Sequence, residues 1–181
     1  MSGRKKGGIV KVRSYPLSDD DIRKLLGDDI AIHNYPDLEG MRSIDELFDR
    51  QGRAILLYPN SGPTSGHWVA LINRGDRIEF FDPYGDAPDH QNDNLPTAYL
   101  AMLDADRPHL TRLLRESGKA VFYNRHAFQV ENKNVATCGR HAVVRLLYAP
   151  YSLKRYKQII DSSGLAPDDF VSGITYDRLR K

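Results

Sequence analysis

Apolar residues recur along this chain in two different periods. In the run Ala142-Val143-Val144-Arg145-Leu146-Leu147-Tyr148, the positions Val143, Val144, Leu146 and Leu147 follow helical spacing. They predict a buried helix that begins near Thr137 and stops before Pro150. Compact apolar runs at 53–58 (RAILLY), 67–73 (HWVALIN) and 77–82 (RIEFFD) predict three strands, the last two joined by the turn Arg74-Gly75-Asp76. Asp82-Pro83-Tyr84-Gly85 then turns the chain again. Ser18 opens a short helix with Ile22, Leu25 and Leu26 that stops at Gly27, and Ser43 with Glu46 forms a capping box for another through Leu47 and Phe48. Residues 86–96 read as a polar loop, and Pro108 starts a helix through Leu110, Leu113 and Leu114 that ends at Gly118. Residues 119–123 predict a strand and Phe128-Gln129-Val130 a short extended piece. Ser152 caps a helix with Leu153, Tyr156, Ile159 and Ile160 that stops near Gly164. The last seventeen residues are weakly patterned, with one helical turn expected after Pro167.

Composition narrows the class. A chain of 181 residues with 40% hydrophobic content suffices for one domain with a substantial core, and no repeat, low-complexity tract or linker divides it. We expect a flexible basic arm over residues 1–13 and a single domain over 14–181. Twenty-six Lys and Arg against 24 Asp and Glu leave no nucleic-acid signature beyond a weak contact through that arm, for which a solvated tail is the simpler account. With no long apolar run and no leader-like stretch, a soluble monomer without membrane contact is expected. A single cysteine forms no internal disulfide and makes no cysteine-rich zinc site, so neither metal nor cofactor is expected.

That cysteine carries the candidate chemistry. With Thr137 as N-cap, Cys138 lies in the first turn of its helix, where unpaired amides and the positive end of the dipole favour a thiolate. Taken alone, a lone thiol is more often a small buried hydrophobe. A nucleophile also needs a base, a group that orients the base, and donors for the oxyanion. The hairpin sets His67 at the start of one strand and Asp82 at the end of its neighbour, near the same sheet edge. Asp82 would accept the far ring N–H of His67 and fix its tautomer. Trp68 alternates to the opposite sheet face, and Gly139 leaves space for a substrate backbone beside the sulfur. Gln129 offers a side-chain amide for the oxyanion, with the Cys138 N–H as second donor. Asn132 and Asn134 are rival donors closer in sequence to the cysteine. His141, three residues after Cys138, is a rival base, but its apolar helix predicts a packed core residue. His33, His90, His109 and His126 read as surface or loop residues.

The blocks GHWVALI at 66–72, FFDPYG at 80–85, Gln129 and TCGRHAVVRLL at 137–147 together resemble the adenovirus-protease-like and SUMO-protease-like cysteine peptidases. The resemblance implies an α+β fold of the papain-like, adenovirus-protease type, with a central, mostly antiparallel sheet flanked by helices and the nucleophile at a helix N-terminus. It implies His67, Asp82, Gln129 and Cys138 as catalytic residues, Trp68 and Gly139 beside the substrate, and cleavage near small residues such as paired glycines. The compact chain looks most like viral maturation proteases. The expected substrates are then polyprotein or capsid precursors, met in the virion and the host cytoplasm. Gly7-Gly8-Ile9 matches such a target, so trimming of the arm is a secondary expectation. Alternatives sharing the fold are a deconjugating enzyme for ubiquitin or SUMO-type modifiers, an acyltransferase, and an inert binding module.

Overall fold

The computed structural model describes residues 12–60, 66–130 and 135–180. Strands β1 (Ala31–Asn34), β2 (Arg53–Pro59), β3 (Gly66–Asn73), β4 (Arg77–Phe81) and β5 (Ala120–Tyr123) form, among these residues, one mixed sheet in that spatial order. The long central ladders β2–β3 and β3–β4 are antiparallel, and the short edge strands β1 and β5 pair parallel to their neighbours. Gly75 turns the β3–β4 hairpin with φ +90°, a conformation that favours glycine.

Alternation along the strands divides the core between two faces. Ile55, Trp68, Ala70, Ile72 and Phe81 meet helices α1 (Asp19–Leu26), α4 (Cys138–Leu147), α5 (Leu153–Ser162) and α6 (Pro167–Leu179). Leu56, Tyr58, Val69, Leu71, Ile78 and Phe80 meet α2 (Thr97–Met102), α3 (His109–Glu116) and the 3₁₀ turns Tyr35–Gly40 and Ile44–Leu47. The result is a mixed α+β sandwich in which α4 lies along β3.

Most elements start and stop where their end signals place them. Ser18 caps α1 through a reciprocal box with Asp21, and the Ser152 hydroxyl accepts from Arg155 N–H at the head of α5. Ser43 and Glu46 form their capping box as expected, but they cap only the 3₁₀ turn Ile44–Leu47. Beyond it Asp49 draws in the amides of Gln51 and Arg53 at 2.8 Å and turns the chain into β2 before a second turn of helix can form. Phe128 and Gln129 are bends outside any strand, because both of their amides are taken by the single carbonyl of Pro83. The single C-terminal turn expected after Pro167 is a helix of 13 residues. Its buried face carries Asp168, Ser172 and Thr175 beside Val171, so hydropathy alone does not mark it. His109, expected on the surface, is buried at the head of α3, with Nε2 2.9 Å from the Asp104 carbonyl and its amide donating to the Tyr35 hydroxyl. Arg13, expected in the arm, pairs with Asp169, and its carbonyl accepts from Ala136 N–H at 2.7 Å. The Gly7-Gly8 segment lies outside the described residues.

The far end of α4 is locked by charge. Arg145 and Glu79 are both fully buried, joined by bonds of 2.6 and 3.0 Å, and Arg74 adds a second guanidinium to Glu79 at 2.8 Å. Arg145 also donates to the carbonyls of Tyr148 and Tyr151, so it closes the helix C-terminus while tying α4 to β4. Removing one partner strands the other as an uncompensated buried charge. Glu79→Ala is therefore expected to destabilise the fold by ~3–5 kcal/mol in chemical denaturation; a loss under ~1 kcal/mol would show that the pair is not fully desolvated in solution.

Candidate active site

The β3–β4 register brings the first two candidate groups together. The ladder ends at the Ala70–Phe81 pair, so Asp82 leaves β4 at the sheet edge where His67 enters β3. His67 Nε2 lies 2.9 Å from Asp82 Oδ1, and neither side chain is appreciably exposed. The imidazole stacks on the Tyr84 ring, with centroids 4.8 Å apart and planes 16° from parallel. Asp82 is itself held. Its carboxylate accepts from Tyr84 N–H at 2.7 Å and from the Gln91 amide at 3.4 Å. Asn124 clamps its main chain, accepting from Asp82 N–H at 3.0 Å and donating to the Asp82 carbonyl at 2.5 Å.

Helix α4 delivers the third group. Cys138 is its first residue and is half-buried, and its sulfur hydrogen-bonds to the His67 ring. With Nε2 turned to Asp82, Nδ1 is the ring nitrogen left for the sulfur. The main-chain N–H groups of Trp68 and Gly139 also donate to it. Burial by itself would raise the thiol pKa, but the His67 bond and charge, together with these two amides, bring it below its ordinary value. Burial likewise opposes a charged imidazole, yet the bonds to Asp82 and Cys138 and their negative charges outweigh it, and His67 is pushed up to about 10. Both shifts favour a thiolate–imidazolium pair, with Asp82 behind the ring.

Gln129 is buried beside this triad. Its amide nitrogen lies 3.3 Å from the Tyr84 hydroxyl and 3.5 Å from the Val135 carbonyl, so it joins the His67 neighbourhood through Tyr84. Asn132 and Asn134, the rival donors, lie outside the described residues. His141 sits in the core, its Nε2 3.0 Å from Asp168 Oδ1, and burial lowers its pKa despite that carboxylate. Gly139 differs from expectation. A Cβ there would come within 3.0 Å of Trp68 Cδ1 and 3.2 Å of Leu17 Cβ, so the space beside it is filled by protein. Glycine is needed because α4 packs closely on β3, with the Trp68 indole anchored to the Leu17 carbonyl at 3.2 Å. Among the described residues no cluster of His, Cys, Asp and Glu could hold a metal ion, and no helix is long and apolar enough to cross a membrane.

Comparison with known proteins places the chain. No family model matches it. The uncharacterized protein V9 of Sputnik virophage is 32% identical over 164 residues, which span 88% of this chain and 93% of that protein. The chain belongs to the V9 family. Among solved structures it is similar to the central domain of the uncharacterized Lpg1148 protein from Legionella pneumophila, with a TM-score of 0.41 and 16% identity over 92% of this chain and 99% of that one. It is also similar to the SUMO protease Ulp1 with its catalytic cysteine oxidized to a sulfinic acid, with a TM-score of 0.37 and 12% identity over 99% and 97% of the two chains.

In this V9-family chain, several site groups escape a reading of the sequence. Tyr84 lies within the DPYG turn, where turn chemistry explains it and hides its stacking role. Asn124 follows β5 directly, and its clamp on Asp82 becomes visible only when β5 lies beside β4. The amide of Trp68 carries no side-chain signal at all.

The pair dictates a pH signature. Thiolate accumulates as pH rises through the depressed Cys138 value, so the alkylation profile with iodoacetamide should have its midpoint below the ordinary thiol value of about 8.5. It should persist above pH 10, where the imidazolium is lost but the thiolate remains. His67→Ala should shift the midpoint up, since burial is then opposed only by the amides of Trp68 and Gly139. Coincident profiles for the two proteins would show that His67 does not activate the sulfur.

Proposed function

We propose that this protein is a cysteine endopeptidase that processes viral structural precursor proteins, cutting beside small residues such as paired glycines. The observation that carries the reading is the buried His67 bonded on one side to Asp82 at 2.9 Å and on the other to the sulfur at the start of α4. The viral source of the V9 relative supports the precursor assignment, and the preference for slim residues is what the resemblance to the adenovirus-protease-like peptidases implies.

The Cys138 thiolate attacks the scissile carbonyl carbon, and the carbonyl π electrons move to oxygen. The Cys138 N–H and one N–H of the Gln129 amide receive that oxyanion, the amide giving up its long 3.5 Å bond to the Val135 carbonyl while the Tyr84 hydroxyl keeps its other hydrogen. The His67 imidazolium gives its proton to the leaving amine as the C–N bond breaks, and a thioester remains. Neutral His67 then takes a proton from water, the hydroxide adds to the thioester, and collapse releases the carboxylic product and restores the thiolate. Throughout, Asp82 keeps the ring in one orientation and balances its charge.

Cys138→Ala is expected to abolish cleavage of co-expressed capsid precursors, followed by mass spectrometry of the fragments. His67→Ala should lower kcat by about 10²–10⁴-fold. Cleavage that survives in Cys138→Ala would contradict the assignment. Labelling by ubiquitin-tail or SUMO-tail vinyl sulfones without precursor cutting would move the substrate class to modifier deconjugation.

A further inference from the structure

Asp168 is the second residue of α6, is almost fully buried, and has no part in the bond-making and bond-breaking steps above. A carboxylate removed from water needs its lone pairs filled, and this one takes three donors, all from outside its own helix. Thr137 Oγ1 donates to Oδ1 at 2.5 Å, His141 Nε2 to the same oxygen at 3.0 Å, and Val130 N–H to Oδ2 at 3.2 Å. The three donors flank the site in sequence. Thr137 immediately precedes Cys138, His141 lies one turn further along α4, and Val130 follows Gln129.

The bond to Thr137 has a second effect. A threonine ahead of a helix ordinarily turns its oxygen onto the first-turn amides and satisfies them. Here the hydroxyl points to Asp168 and makes no capping bond, with Thr137 at φ −102° and ψ 1°. The amide of Gly139 is thereby left to the sulfur, to which it donates. One buried carboxylate thus holds the segment that presents the sulfur, the first turn of its helix, and the segment that presents the Gln129 amide.

We infer that Asp168 is a positioning residue, which sets the Cys138 sulfur and the Gln129 amide in register by drawing Thr137 and Val130 onto the head of α6. The inference rests on the nucleophile role of Cys138 proposed above. It separates from a charge effect by sign. A carboxylate acting through its charge alone opposes a nearby thiolate, so removing it would shift the thiolate midpoint down; loss of register shifts it up.

The test is the pH profile of Cys138 alkylation by iodoacetamide in the intact protein, with thermal melts reporting the fold separately. Thr137→Val keeps the shape and the Asp168 charge but deletes the hydroxyl. It should raise the midpoint and lower the rate at pH 6 by about tenfold, and Thr137→Ser should restore most of that rate. Asp168→Asn sets an amide donor against the amide of Val130 and should shift the midpoint in the same upward direction. Thr137→Val and Asp168→Asn profiles that superimpose on wild type, or a downward shift in Asp168→Asn, would overturn the inference while leaving the nucleophile reading intact. Wild-type alkylation at the pace of an ordinary thiol, unchanged in His67→Ala, would overturn both.

Discussion

The His67 imidazole is buried between the Asp82 carboxylate and the Cys138 sulfur, and this arrangement governs the rest of the site. A charged ring removed from water is unfavourable by several kcal/mol unless both nitrogens find strong acceptors. Asp82 supplies one acceptor at 2.9 Å and the Cys138 sulfur the other. Each of these anions would be costly without the ring, and each is further supplied with main-chain donors, Tyr84 N–H on the carboxylate and the amides of Trp68 and Gly139 on the sulfur. The three groups therefore stabilise one another's charge.

What the arrangement demands of the fold is register. The β3–β4 hairpin fixes His67 relative to Asp82, because a slip of one residue would send His67 to the opposite sheet face. The sulfur comes from a separate element, so α4 must be seated on β3 to a fraction of an ångström. Gly139 permits that close approach against Trp68 and Leu17. At its other end α4 is fixed by Arg145 on Glu79, and at its head by Asp168. Buried charge thus pins the helix at both termini, while Val143 and Val144 supply the apolar contact between them.

Strong local patterns made much of this legible in the sequence. The three central strands, the hairpin turn and the helix opening at Cys138 follow from apolar runs bounded by turn and cap residues, and the pairing of His67 with Asp82 follows from hairpin geometry. What was hidden lies where polar residues face inward or where spatial neighbours are distant in sequence. Helix α6 reads weakly because Asp168, Ser172 and Thr175 occupy its buried face. Strand β1 is an edge strand of four residues without alternation. The Ser43 box was read correctly as a cap, yet the Asp49 turn ended its helix early. Gly139 was expected to leave room for substrate, but the chain itself occupies that room, since a glycine signals close approach without saying of what.

The charge state of the His67 ring bears on all of this most directly. Nitrogen NMR of imidazole-labelled protein can follow the two ring nitrogens of His67 through a pH titration. Both should carry protons at pH 7, with one lost only near pH 10. A ring that is neutral at pH 7 and titrates near the ordinary histidine value of about 6.5 would contradict the thiolate–imidazolium pair and the chemistry built on it.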